Sequence, residues 1–333
     1  MSLFKKSLYY LSRIIDRPLV APDLLIISLT ECCNLRCPAC GIKKDIAKES
    51  LEIDMTKTMD VISQAQKMKI GIVVLSGGEP FLVEEIFPLI EFIKASGMNV
   101  AVTTNGFWQE QLAEKIAHSP LDHLHFSFDG LNRNHDELRG KGSYERMMNN
   151  ISLIRKIKPI QSMGFGTVIY NKNCNDLFEM TKIADSLKIN IMNFIPYLIS
   201  NVDPQHSKKG PEYSQLWPDA RDLLNLKDNF KKIFSFQYKN LKVDFNPGAK
   251  LLLDYYSNSK INKKCFAGYK SMIITSKRVH NGSLASDVFF CQDSCGNVYE
   301  TSLKEAWSSE KARHMRRIAK RCPNTCLQFC HYI

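Results

Sequence analysis

The sequence predicts an α/β fold built from parallel βα units. Short apolar runs alternate with helix-period segments from residue 24 to residue 195. The 333 residues, 44% of them hydrophobic, suffice for the core of one large α/β domain plus a smaller extension. Residues with chemical character also cluster just after the strands, at the C-terminal ends where such folds place their sites.

The first strand is Leu24 to Thr30, nearly continuous in apolar residues, as a strand covered on both faces requires. A helix near 57–69 leads to a second strand, Ile70 to Leu75. The helix near 84–96 stops at Gly97, a residue suited to a helix C′ position. Strand three is Asn99 to Thr104, followed by a helix near 109–117. Strand four is His123 to Phe128. Ser143 can cap a helix that runs to about 157, with Pro159 just beyond it. Strand five is Met163 to Tyr170, a helix spans 175–187, and strand six is Ile189 to Ile195. Six strands fall short of a full eight-stranded barrel, so a partial barrel and a doubly wound sheet both fit the pattern.

Before this core lies a basic segment, residues 1–23, in which Phe4, Leu8, Leu11 and Ile15 share one side of a helix. It reads as a lid packed on the barrel, with peripheral membrane contact as the lesser reading, since one such segment binds membranes weakly. The core proper is 24–198. A connecting region, 199–264, lies on the substrate side; it has a polar loop at 200–215 and a helix near 219–235. Residues 265–333 hold six of the eleven cysteines and form a separate module.

The formal charge of +11 permits anionic partners or only a solvated surface. An odd number of clustered cysteines argues against a disulfide framework, and no run is apolar enough to span a bilayer. Charged residues interrupt any secretory core near the N-terminus. A cytoplasmic location is therefore expected, where clustered thiols mean metal binding or catalysis.

Cys33, Cys37 and Cys40 stand in a C-x3-C-x2-C loop after strand one. Closely spaced thiolates of this kind hold iron–sulfur clusters. Three ligands leave one iron of a four-iron cube open, and an open position is where a substrate binds. Structural zinc would need a fourth ligand, and adjacent Cys32 reaches the same metal poorly.

This loop, with Asn34-Leu35-Arg36 between its first two cysteines, resembles that of the radical S-adenosylmethionine (SAM) superfamily, and residues 24–197 agree with it. The resemblance implies a partial (β/α)6 TIM-type barrel with a small cysteine-rich C-terminal extension. It implies a [4Fe–4S] cluster whose open iron binds the amino and carboxylate groups of SAM. Reductive cleavage then yields a 5′-deoxyadenosyl radical that abstracts hydrogen from a substrate. Gly77-Gly78-Glu79-Pro80 resembles the segment that receives the methionine amino group, and Thr104 and Asn105, at the end of the next strand, are further candidate cofactor contacts. Ser127 and Asp129 resemble the polar pair that meets the SAM ribose or carboxylate, and Arg139 the basic residue that meets the carboxylate. Asn171 offers a further polar contact, and Ile195 can pack on the adenine. Ala39 replaces an aromatic residue common just before the third cysteine.

The later cysteines resemble the auxiliary-cluster extensions called SPASM and Twitch. Cys265, Cys291, Cys322, Cys326 and Cys330 are the candidate ligands of one auxiliary [4Fe–4S] cluster, four of them sufficing, around a helix at about 302–320 and a strand at Val288 to Phe290. Cys295 reads as a turn residue and non-ligand, Cys174 as a buried free thiol. Structural zinc is the alternative for this module. The expected function is peptide or protein maturation, or dehydrogenation or epimerisation of a small molecule, with electrons from a reductant such as flavodoxin or ferredoxin. A molybdenum-cofactor-type cyclase and an RNA-modifying enzyme are the alternatives. No Gly-Gly tail supports the first, and no RNA-binding motif the second. A non-catalytic metal-binding protein is the reading from another class. No acid, base or hydrogen donor can be named.

Overall fold

The computed structural model describes residues 3–40, 54–158, 160–198, 215–245, 248–257, 259, 264–278, 284–289 and 294–321. Eight parallel strands form one sheet that does not close. In chain order they are β1 (Leu24–Thr30), β2 (Ile72–Gly77), β3 (Asn99–Thr104), β4 (His123–Ser127), β5 (Ser162–Ile169), β6 (Ile191–Pro196), β7 (Lys242–Phe245) and β8 (Ser271–Arg278). The spatial order is β8-β1-β2-β3-β4-β5-β6-β7. An antiparallel hairpin, β9 (Leu284–Phe289) and β10 (Ser294–Asn297), continues the sheet beyond β8.

The six expected strands are therefore present, and the parallel sheet gains one on each edge. β7 pairs with β6, and β8 pairs with β1 in register from Leu24↔Ser271 to Ser28↔Thr275. Alternation within each strand explains the layering. Leu25, Ile27, Val73, Leu75, Val100, Val102, Leu124 and Phe126 are fully buried and join the helix residues Val61, Ile62, Leu89 and Ile90 in one core. Their alternate neighbours, such as Ser28, Ser76, Thr103 and His125, turn to the other face and stay only half-buried.

The covering helices begin and end on identifiable side chains. In α1 (Leu3–Ile14) and α2 (Met55–Lys67) the local patterns are amphipathic, and Asp54 caps α2 by accepting from Lys57 N at 2.7 Å. α3 (Ile86–Ala95) ends as expected, with Gly97 at φ +76°. After α4 (Glu110–His118) an unexpected short helix, α5 (Asn132–Arg139), precedes α6 (Ser143–Ile157). Ser143 is the first residue of α6, not its cap; the capping acceptor is Asp136, at 2.6 Å from Gly142 N and 2.9 Å from Tyr144 N. A carboxylate accepting several N–H groups outperforms one serine hydroxyl there.

α7 (Leu177–Ser186), α8 (Ala220–Ser235) and α9 (Ala249–Tyr256) complete the layer. The expected helix at 302–320 is two, α10 (Leu303–Ser308) and α11 (Glu310–Arg321), broken at Ser309. Cys295 lies within β10, and the turn follows it. Among the described residues no helix is long and apolar enough to cross a membrane.

α1 is not a lid packed through its apolar side. Tyr9 and Ser12 face inward, whereas Phe4, Leu11 and Ile15 are 74%, 45% and 48% exposed. Polar and aromatic contacts hold the helix instead: Arg13 donates to Cys265 O and Lys320 O, and Tyr9 packs with Phe266 and Tyr269.

Candidate functional site

The cysteine loop leaves β1 beside the end of β2. Gly78 N donates to Thr30 O at 2.7 Å and Glu79 N to Cys32 O at 2.8 Å, which extends the β1–β2 ladder into the loop. Only glycine permits this approach. A Cβ at Gly77 would meet Thr30 O at 2.4 Å, and one at Gly78 would meet Cys32 O at 1.9 Å. The close approach of these glycines is thus to the cysteine loop itself.

Pro80 opens a tight turn and is buried. Glu79 is 1% exposed, and its carboxylate ties three segments together. Its Oε1 accepts from Thr104 Oγ1 at 2.7 Å and Phe81 N at 3.3 Å, and its Oε2 from Asn105 N at 2.8 Å. Burial pushes its pKa up to about 7, despite those three donors and Arg139. Asn105 carries the link onward, donating to Asn34 Oδ1 at 2.8 Å and to Cys33 Sγ at 3.6 Å. Asn34 donates back to Phe107 O.

On the other side of the loop, Arg139 and Asp129 form an ion pair, with Nη2 at 2.5 Å and Nε at 2.6 Å from Oδ2. The remaining carboxylate oxygen accepts from Val168 N at 2.7 Å. Asp129 is therefore spent on holding Arg139 and the end of β5. The Cys37 thiol contacts Arg139 O at 3.8 Å. Burial pushes the Cys37 thiol up to about 11, against the lowering effect of the Arg139 guanidinium; nearby Cys40 and Cys33 push the same way as burial. Cys33 is also raised, chiefly by burial. Cys40 is exposed and ends this described stretch. Among the described residues no three His, Cys, Asp or Glu side chains form a ready group for a metal ion.

Ser127 ends β4 half-buried, opposite Gly166. Asn171 lies apart from this network: its N and Nδ2 donate to Leu216 O and Gln215 O, and its buried Oδ1 has no partner among the described residues. Ile195 is half-buried on β6, next to Val168. In the C-terminal module, Cys265 is half-buried and its Sγ lies 3.4 Å from Ala267 N. Cys295 is buried with Val298, Leu303, Ala306 and Met315, its Sγ 3.7 Å from Met315 Sδ. Cys291, Cys322, Cys326 and Cys330 lie outside the described residues. Cys174 is fully buried and donates to Tyr170 O at 3.2 Å.

One group escaped the sequence. His123 and His125 sit on the sheet face away from the helices, with His123 Nε2 3.2 Å from His125 Nδ1 and His123 Nδ1 2.9 Å from Ser162 Oγ. Burial lowers the pKa of His125 to about 3, and the neighbouring His123 adds to this, so it is neutral at physiological pH. The glycines opposite make the room: a Cβ at Gly166 would lie 2.7 Å from His125 Nε2, and one at Gly164 2.5 Å from its Nδ1. The signal available was Gly164-Phe165-Gly166 within a strand, a mark of close approach. Gly166→Ala should cost roughly 1–3 kcal/mol by overpacking the imidazole. Adding His125→Ala should recover most of that loss, read by denaturant unfolding of both variants.

A cavity of about 440 Å³ adjoins Glu79 and Asn34, lined also by Phe107, Trp108 and Arg146. The polar network, the loop and this cavity all lie at the C-terminal strand ends.

Residues 27–183 match a family model described as the Radical SAM superfamily, and residues 265–331 match one described as an iron–sulfur cluster-binding domain, SPASM. An AdoMet-dependent heme synthase of Methanosarcina barkeri is 27% identical over 183 residues, 53% of this chain and 52% of that protein. The chain thus matches about half the length of that relative. A PqqA peptide cyclase of Gluconobacter oxydans is 24% identical over 92% of this chain and 82% of its own length. The crystal structure of Streptococcus suis SuiB bound to precursor peptide SuiA covers 94% of this chain and 71% of that chain, with a TM-score of 0.68 and 16% identity. SuiB and this chain share the open, partial-barrel fold. The chain belongs to the radical SAM superfamily and carries a C-terminal SPASM iron–sulfur domain.

Proposed function

We propose that this protein is a peptide-modifying radical SAM enzyme, with the SAM-binding [4Fe–4S] cluster on Cys33, Cys37 and Cys40 and one auxiliary cluster in the C-terminal module. The observation that carries the first part is the joining of Glu79, Thr104 and Asn105 to Cys33, and of Asp129 and Arg139 to Cys37, at one end of the sheet. Family membership brings a [4Fe–4S] cluster, SAM and auxiliary iron–sulfur chemistry as cofactors.

The residues present fit these groups. Soft thiols supply the donors, and cluster binding displaces the protons that burial holds on Cys33 and Cys37. When bound, the cluster supplies the electron that cleaves SAM to a 5′-deoxyadenosyl radical able to take hydrogen from the substrate. Glu79 accepts three hydrogen bonds of the roughly four its carboxylate can take. Burial raises its pKa, and an ammonium group such as that of methionine placed beside it would favour the charged carboxylate. Arg139 is the cation for a carboxylate. Asp129 orients it, since both Asp129 oxygens are already engaged. Gly77, Gly78 and Pro80 hold the loop base, while Ser127, Asn171 with its unpartnered Oδ1, and Ile195 are the outer contacts. Cys265 and Cys291, with two of Cys322, Cys326 and Cys330, supply the four auxiliary ligands. A flavodoxin- or ferredoxin-type protein is the reductant.

The peptide reading is supported by the PqqA peptide cyclase, which aligns over most of both chains. The heme synthase match favours a tetrapyrrole as the second reading. Anaerobic reconstitution, reduction and assay with SAM test the core claim. Wild-type protein should yield 5′-deoxyadenosine, and the Cys33→Ala/Cys37→Ala/Cys40→Ala variant at least about a thousandfold less. Wild-type protein that holds iron yet leaves SAM intact would sink the enzyme reading. Mass spectrometry of a peptide encoded beside the gene, against an iron-free tetrapyrrole, separates the two substrate readings.

A further inference from the structure

α1 turns the wrong side to solvent for a helix that merely covers a core. Its residues 3, 4, 7, 11 and 14 fall on one face by helical spacing, four of these five are Leu, Phe or Ile, and Ile15 follows in the turn just past the helix. Leu3 is 85% exposed, Phe4 74% and Ile14 69%. An ordinary surface helix buries that stripe. Here the buried side is Tyr9 and Ser12, and the helix is fastened by Arg13 to Cys265 O at 3.0 Å and Lys320 O at 3.2 Å, and by Lys320 to Asp16 at 3.0 Å. The outward face is thus a fixed feature of the fold and not a loose terminus.

Its surroundings are basic. Lys6 flanks the stripe on the helix itself, and exposed Arg17 follows just past its C-terminal turn. α11 ends against α1, with Lys320 Nζ 3.2 Å from Ile14 O, and brings exposed Arg321 and the 50% exposed Ile318 to that end, while Arg313 and Arg317 farther along it pair with Glu310. The whole chain carries +11.

We propose that the α1 face docks on an anionic lipid bilayer surface. An aliphatic stripe ending in an aromatic residue and bordered by Lys and Arg is the composition that inserts into the headgroup boundary, with the cations meeting acidic lipids. A second copy of this chain is a poor occupant, because pairing α1 and α11 with themselves brings like charges together. A single 12-residue helix also offers less area than the roughly 800 Å² per partner of a stable protein interface. α1 packs against the segment entering β1, with Lys5 paired to Asp23, so docking leaves the cysteine loop at the other end of that strand open.

The test is vesicle flotation with the full chain. Wild-type protein should float with phosphatidylcholine vesicles containing about 30 mol % phosphatidylglycerol, and several-fold less with phosphatidylcholine alone or in ~0.5 M salt. Phe4→Ser/Leu11→Ser/Ile14→Ser should bind at least about tenfold more weakly with an unchanged circular dichroism spectrum, because solvent already surrounds these side chains. Lys6→Gln/Arg17→Gln should lose most of the preference for acidic lipid. Wild-type protein that stays unbound on both vesicle types overturns the proposal, whatever the variants do. So does self-association in light scattering that the serine variant abolishes, which would make the face a contact between copies.

Discussion

Gly78→Ala should strip the N-terminal cluster site from an otherwise folded chain. The new methyl would sit 1.9 Å from Cys32 O and 2.5 Å from its carbonyl carbon, both backbone atoms that no rotamer change can move aside. The loop must shift, and the bonds Gly78 N–Thr30 O and Glu79 N–Cys32 O go with it. Cys33 is the next residue, so its thiol moves away from Asn105. We expect about 2–5 kcal/mol of lost stability, within the range of severe backbone conflicts. Reconstituted iron should fall to the amount held by the C-terminal module, and 5′-deoxyadenosine formation should vanish. Gly71→Ala is the control, since a Cβ there meets nothing within 4 Å; it should leave stability within about 0.5 kcal/mol and iron content unchanged. Full iron in Gly78→Ala would show that the loop can take up its ligand geometry without this ladder.

That conflict also shows what the sequence made legible. Two adjacent glycines and a glutamate after a buried strand mark a close backbone approach, and the cysteine spacing marks the loop they approach. Both are local signals, readable without a third dimension. The features that escaped depend on distant partners. α5 reads Asn-Arg-Asn-His-Asp-Glu-Leu-Arg and buries only His135 and Leu138, so no apolar stripe announces it. β8 becomes a neighbour of β1 although 240 residues separate Thr30 from Ser271 in the chain, and periodicity carries no information on that pairing. The apolar stripe of α1 was visible, but not the direction it faces. That is decided by Arg13 and Lys320, whose bonds reach residues far along the chain. His123 and His125 looked like ordinary strand residues because their space is made by glycines on another strand.

Removing the Asp129 carboxylate should be the most damaging single change away from the cysteine loop. Asp129 is 1% exposed on its side chain and Arg139 16%, so neither charge is solvated as it would be on the surface. Burial alone would lower the Arg139 pKa, yet the carboxylate of Asp129, with Cys37 beside it, holds it above its ordinary value. Asp129→Leu leaves that guanidinium without its partner and frees Val168 N at the end of β5. Breaking a buried pair by removing one member costs about 3–5 kcal/mol, because the remaining charge is uncompensated. Removing both, as Asp129→Leu/Arg139→Met, should recover a large part of this loss in denaturant unfolding, since apolar replacements often match a buried pair in stability. SAM binding separates the two roles proposed for these residues. If Arg139 meets the carboxylate of SAM and Asp129 only holds it, the stable double variant should still bind SAM at least about tenfold more weakly than wild type, the cost of one lost charge-assisted contact. A double variant that is both stable and fully competent for SAM would confine the pair to a structural task, joining α5 to β5 beneath the loop. The two outcomes differ because folding needs only that no charge be stranded, whereas recognition of a carboxylate needs a cation at that place.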